Sequence, residues 1–77
     1  RAFDTPLAES AFAEVASAVT MYGMRPIAEM QFADFIMTAV NQIVYEAAKI
    51  RYRSINDWTC PITVRAPFGG GFHGALY

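Results

Sequence analysis

The residues predict an α/β fold, part of a doubly wound parallel sheet traversed as strand, helix, strand, helix, strand. Three observations carry that prediction. A short apolar strand, Pro26-Ile27-Ala28-Glu29-Met30-Gln31-Phe32, runs directly into a long stretch of helical periodicity that ends near Arg53. A β-branched run, Pro61-Ile62-Thr63-Val64-Arg65, follows it. A second helix-periodic stretch precedes it and is closed by Gly23. Alternating strands and helices imply parallel pairing with right-handed crossovers.

Taken in order, Arg1-Ala2-Phe3-Asp4 reads as a short first strand, and Asp4-Thr5-Pro6 as a turn. Proline fixes φ there, and Asp or Thr can bond nearby backbone N–H groups. A helix is predicted from Leu7 or Ala8 to Tyr22, with Phe12, Val15, Ala16, Val19 and Tyr22 as its buried stripe. Ser10, Glu14, Ser17 and Met21 form its wet stripe. Gly23 suits the left-handed residue that closes a helix, and Pro26 follows shortly after. The central helix shows apolar residues at Phe32, Ile36, Ala39, Val40, Ile43, Ala47 and Ile50, with no Pro or Gly to interrupt it. A helix of about 20 residues is about 30 Å long, enough to cross a small domain. Its opposite face holds Asp34, Thr38, Asn41, Gln42, Tyr45, Glu46 and Lys49. Arg51 and Arg53 place positive charge at its C-terminal end, where the macrodipole favours it. A loop from Ser54 to Thr59 leads into the third strand, which Pro67 ends, and Phe68 to Gly74 is a glycine-rich loop.

The bulk properties narrow the function. The 77 residues allow one domain at most, and 55% of them are hydrophobic. So small a unit leaves much of its surface wet, so that apolar excess predicts surfaces covered by something else. Together with the strand-like start and the abrupt finish at Tyr77, it reads as a piece of a longer polypeptide. A net charge of −1 gives no electrostatic case for nucleic acid or an anionic membrane. Cys60 is the single cysteine, which excludes an internal disulfide and favours a reducing compartment. No apolar run approaches the roughly 20 residues of a membrane span, and no segment has the form of a signal peptide.

The chemistry-bearing residues gather at the strand ends. In open α/β sheets, ligands sit at that carboxyl edge. Glu9 follows the first strand and turn; it is either a carboxylate favoured at a helix N-terminus or a catalytic acid. Gln31 and Phe35 flank the strand-to-helix junction; Phe35 alone reads as core, but with Gln31 it makes an apolar wall beside a hydrogen-bonding amide, suited to a heteroaromatic ring. Gly69-Gly70-Gly71-Phe72-His73-Gly74 matches G-x-G-x-x-G, yet no helix start follows, so a sharply turning loop is the better reading. His73 has no partners at metal-ligand spacing.

Several long blocks carry a resemblance over essentially the whole chain. They are Phe3-Asp4-Thr5-Pro6-Leu7-Ala8-Glu9, the run from Arg25 to Phe35, the run from Glu46 to Ser54, Arg65-Ala66-Pro67-Phe68-Gly69-Gly70-Gly71, and His73-Gly74-Ala75-Leu76-Tyr77. With them the chain resembles the beta subunit of the decarboxylating component of 2-oxo acid dehydrogenase complexes. It looks most like the branched-chain (2-oxoisovalerate) members, with pyruvate and acetoin members as alternatives.

The resemblance implies a transketolase-like pyrimidine-binding domain, of which residues 1–77 are the N-terminal part. It implies thiamine diphosphate at an interface with an alpha subunit that holds the diphosphate and Mg²⁺. It also implies a second beta subunit, a lipoyl-bearing transacylase core, and oxidative decarboxylation of 2-oxo acids with acyl transfer to the lipoyl group. Glu9 falls at the family's catalytic glutamate, which bonds a pyrimidine nitrogen and favours the imino tautomer. Leu7, Gln31 and Phe35 fall at positions that contact the pyrimidine; many members carry Tyr where Phe35 stands. The family's structural K⁺ lies near Ile62 and Thr63, of which this chain supplies only part. An active-site histidine follows the His-Gly-Ala-Leu-Tyr run in the family, so His73 is not that residue. Glu14, Ala16, Ala18, Thr38 and Phe72 depart from the common pattern. An assembly module that kept the fold and lost the site is the competing expectation. Bacterial cytoplasm, favoured, and mitochondrial matrix both suit the family, and the 77 residues alone are expected to be inactive.

Overall fold

A computed structural model describes residues 1–70. The order of elements is α1 (Glu9–Thr20), β1 (Ile27–Glu29), a 3₁₀ helix (Ala33–Ala39), a π helix (Gln42–Ala47), α2 (Ile50–Arg53) and β2 (Thr63–Arg65). β1 and β2 pair in parallel, Ile27 with Thr63, Ala28 with Val64 and Glu29 with Arg65. The ladder extends past both ends, because Thr63 N–H donates to Pro26 O at 3.0 Å and Met30 N–H to Arg65 O at 2.8 Å. The described residues therefore form a mixed α/β unit with two parallel strands. The strand expected over Arg1 to Asp4 is not formed. Residues 1–7 are exposed and make no ladder bonds, and a strand exists only where a neighbour accepts it.

α1 is closed as its sequence predicts. Gly23 has φ +83°, its N–H donates to Thr20 O at 2.9 Å, and Met24 N–H reaches Val19 O at 3.4 Å. That pair of bonds satisfies carbonyls the helix end would leave open. The face that α1 buries differs from the expected stripe. Ala13, Ala16, Ser17 and Thr20 are buried, whereas Val15 and Tyr22 are 54% and 86% exposed. Small side chains let α1 approach the neighbouring helical layer closely. The two polar residues among them are satisfied internally, with Ser17 Oγ donating to Ala13 O at 2.9 Å and Thr20 Oγ1 to Ser17 O at 2.6 Å. Glu14 is exposed, so its charge meets no burial cost.

The long helix after β1 is not one continuous α-helix. The 3₁₀ helix over seven residues is overwound and the π helix over six is underwound, with a short α turn between and after them. The two deviations offset in rotation, so the stripe survives: Ala39 is buried and Phe32, Ile36, Val40, Ile43, Ala47 and Ile50 are half-buried. The polar face is held by Arg53 on the Glu46 carboxylate at 3.0 Å and by Lys49 Nζ 4.6 Å from the Tyr45 ring centre. Gln42 is the exception on that face; its Oε1 is buried with no partner among the described residues.

The core lies between the sheet and one helical layer. Ala13, Met30 and Ala39 are buried at its centre, with Phe12, Ile36, Ile43, Val64 and Ala66 against them. Along β1 Ala28 faces this core while Ile27 and Glu29 are exposed on the other face, and just past the strand Met30 is buried and Gln31 exposed. Thr63 and Arg65 share that open face on β2. The predicted third strand is real but shorter at its start than expected. Gly69 and Gly70 have φ +62° and +61°, which supports the sharply turning loop. His73 and the rest of the G-x-G-x-x-G pattern lie outside the described residues.

Candidate functional site

Glu9 opens α1. It is the acidic residue of the first turn, half-buried, and no side chain caps the helix start. The first N–H groups of a helix have no intrahelical partners and carry partial positive charge. A carboxylate there is held in place electrostatically while its oxygens stay available to a ligand.

A broad open cleft of about 1140 Å³ runs beside this helix start. Its walls include Leu7 just before α1, Glu9 at the helix start, Phe12 and Val19 from the helix, and Gln31 two residues past β1. Leu7 is 74% exposed and Gln31 is exposed, so both present their side chains to the open space. Phe35 is not on this wall. It stands half-buried in the 3₁₀ helix, edge-on to Phe32 with ring centres 5.8 Å apart. The structure thus brings Leu7, Glu9 and Gln31 to one cleft and leaves Phe35 behind the junction.

Glu29, a polar residue at the end of the central strand, also lines the cleft, and with it Arg65, which the sequence did not single out. The two face each other in register across the parallel pair, and the Arg65 guanidinium donates to a Glu29 carboxylate oxygen. Only the strand register makes them neighbours, since they stand 36 positions apart in the chain. The available signal was an acid and a base, each at the C-terminal end of a predicted strand.

A second hollow, about 490 Å³, is lined by Arg51, Tyr52, Arg53, Ile55 and Asn56 and contains none of the candidate residues. Among the described residues no three His, Cys, Asp or Glu side chains gather as a metal site, and no helix is long and apolar enough to cross a membrane. Ile62 and Thr63 stand at the entry to β2, with Ile62 N–H donating to Cys60 O at 2.9 Å.

The chemistry of this donor set suits a small heteroaromatic ring. Leu7 offers an apolar surface, Gln31 an amide that can donate and accept, and Glu9 a carboxyl that can share a proton with a ring nitrogen.

Comparison with known proteins gives the family. Residues 1–76 match the transketolase pyrimidine-binding domain. The chain is 78% identical over 77 residues to the 2-oxoisovalerate dehydrogenase subunit beta of Bacillus subtilis, covering all of this chain and 24% of that protein. It is 47% identical over 74 residues to the subunit of the same name from Pseudomonas aeruginosa, covering 96% of this chain and 21% of that protein. It is 45% identical over 73 residues to the pyruvate dehydrogenase E1 component subunit beta of Bacillus subtilis, covering 95% and 22% respectively. The chain therefore spans less than a quarter of the length of these relatives. A match over nearly every residue, on a parallel pair with an acid at the first helix start, places this chain in the transketolase pyrimidine-binding domain family.

Proposed function

We propose that this chain is the pyrimidine-binding half of a thiamine-diphosphate site in the beta subunit of a 2-oxoisovalerate dehydrogenase. The observation that carries the reading is the meeting of Leu7, Glu9 and Gln31 on one cleft at the helix start. The higher identity to the 2-oxoisovalerate subunit, 78% against 45% for the pyruvate subunit, favours branched-chain 2-oxo acids. On this reading residues 1–77 are the N-terminal part of a doubly wound domain. Its further strands lie elsewhere in the subunit.

Each residue has a distinct task. Glu9 holds a proton between its carboxyl and a nitrogen of the pyrimidine ring. The helix start keeps the carboxyl oriented, so no reorganisation is needed when that proton shifts. Leu7 presses an apolar surface on the ring and excludes water from the carboxyl. Gln31 supplies the hydrogen-bonding amide at the opposite wall. Phe35, which does not line the cleft, would contact the ring from the 3₁₀ helix. Bound thiamine diphosphate would supply a thiazolium that accepts the electron pair left when CO₂ departs from the 2-oxo acid. An alpha subunit would hold the diphosphate and Mg²⁺, a second beta subunit would complete the assembly, and a lipoyl-bearing transacylase would receive the acyl group. Bacterial cytoplasm suits such an assembly.

Glu9→Gln tests the reading in the complete alpha–beta enzyme. Gln keeps the size and loses the shared proton, so decarboxylation is expected to fall by at least about 100-fold while the assembly elutes as before. Turnover near the wild-type level would refute the assignment and favour a non-catalytic assembly module.

A further inference from the structure

The helical run from Ala33 to Arg53 buries one face and leaves a second apolar face open. In its 3₁₀ part, side chains three apart eclipse, which puts Asp34, Met37 and Val40 on one line. Steps of four then carry the line through Val44 and Ala48 to Tyr52. Met37 is 70% exposed, Val44 46% and Tyr52 88%. Asp34 and Ala48 are exposed as well, and Val40 is half-buried. The residues that face the core are different ones, Ile36, Ala39 and Ile43. A single exposed apolar side chain is ordinary, but an unbroken row of them along one helix marks an interaction surface.

The charges beside this row are unevenly placed. Asp34 stands at its first end, and its carboxylate has no ion-pair partner among the described residues. Arg51 and Arg53 flank Tyr52 at the other end. Arg53 is held by Glu46, whereas Arg51 bonds Asn56 through Nε and leaves its terminal N–H groups without a partner among the described residues. Between the ends, the charges are engaged within the helix itself, Glu46 with Arg53 and Lys49 over the Tyr45 ring. The row is therefore acidic at one end, apolar along its middle and basic at the other.

A row of this kind is complementary to itself when reversed. A two-fold axis between Val40 and Val44 sets Val40 against Val44 of the copy and the long Met37 against the small Ala48. It brings Asp34 to the end where Arg51 and Arg53 flank Tyr52, and every contact is made twice. We propose that the line Asp34, Met37, Val40, Val44, Ala48 and Tyr52 is the surface on which a second copy of this chain docks, antiparallel and across a two-fold axis. This rests on the reading of the chain as part of a beta subunit present twice in its assembly, and it supplies the surface that joins the two.

The test is the mass of the complete alpha–beta assembly, followed by analytical ultracentrifugation over a dilution series. Val44→Glu puts two like charges beside the axis and is expected to split the assembly into alpha–beta pairs, with the concentration for half-dissociation raised at least about tenfold. Tyr52→Glu changes a side chain too exposed to matter for folding, sets a carboxylate against Asp34 of the copy and is expected to act in the same direction. Asp34→Lys is expected to weaken the pairing, and Asp34→Lys combined with Arg51→Glu to recover most of it, because the opposite charges then meet again with their places exchanged. An unchanged mass in both Val44→Glu and Tyr52→Glu overturns the proposal. So does release of the alpha subunit in place of separation of the two beta subunits, which would assign this row to the alpha partner, and so does a double variant no better paired than Asp34→Lys. A wild-type assembly with one beta subunit refutes the reading of two copies together with this surface, whereas unaffected variants in an assembly with two refute the surface alone.

Discussion

Glu9 joins two properties that rarely serve one purpose: it favours the start of its own helix and it faces an open cleft. The first is worth about 0.3–1 kcal/mol of helix stability, so Glu9→Gln should alter the unfolding midpoint only slightly while removing activity. That separation is what distinguishes a catalytic acid from a structural one. Ile55 shows the opposite kind of position. It adopts φ +55° and Asn56 φ +70°, in the turn that follows α2. A β-branched residue there is strained, and the conformation is held by Asn56 N–H on Arg51 O at 2.9 Å and by Arg51 Nε on Asn56 Oδ1 at 2.8 Å. Ile55 is 84% exposed, so it gains no packing in return. Ile55→Gly is expected to stabilise the complete subunit by up to about 1 kcal/mol, since relief of left-handed strain exceeds the added chain entropy. Chemical denaturation measures it; a loss of stability would show that Ile55 is packed in the assembled protein. At this scale the place of Glu9 at a helix start and of Gln31 just past a strand was legible from residue type and spacing. Arg65 was not, because nothing in a linear pattern gives the register between two strands.

Among the elements, α1 shows why periodicity can identify a helix and still misplace its buried face. Of the expected stripe Phe12, Val15, Ala16, Val19 and Tyr22, Ala16 is buried and Phe12 and Val19 are half-buried, yet Val15 and Tyr22 are exposed and Ala13, Ser17 and Thr20 complete the buried set. Hydropathy ranks the large residues first; close approach between helices selects the small ones. The hydroxyls of Ser17, expected on the wet stripe, and of Thr20 bond back to their own helix, which removes the penalty of burying them. Ala13→Leu should therefore cost about 1–3 kcal/mol by overpacking, measured by chemical denaturation of the complete subunit, whereas a neutral effect would mean that α1 can move away from the 3₁₀ helix. The central helix teaches the converse. Its stripe was read correctly from spacing, because the 3₁₀ and π segments change the winding locally but offset each other over the whole length. The change of helix type left no mark in the residue pattern, which reports an average rotation and not the hydrogen bonding of each turn.

For the molecule as a whole, the parallel pair and its helical layer were legible in the alternation of periods, and the missing first strand was not. A strand at Arg1 to Asp4 needs the free edge of β1 as its template, and residues 1–7 stand exposed instead. Among the described residues the buried apolar ones are Ala13, Ala16, Ala28, Met30 and Ala39, four of them alanine, while Phe3, Leu7, Tyr22 and Phe68 are largely exposed. The radius of gyration is 13.6 Å, against about 11.5 Å expected for a compact domain of this length. Small core and open apolar surface agree with the match to less than a quarter of each relative and with the proposal that a second subunit would complete the site. The central claim is that Glu9 meets the pyrimidine ring in that completed site. A structure of the full alpha–beta assembly with thiamine diphosphate tests it most directly, read as the distance from the Glu9 carboxylate to the nearest pyrimidine nitrogen. The account predicts a hydrogen bond of about 2.6–3.2 Å; a ring bound elsewhere, with Glu9 facing only its own helix start, would contradict it.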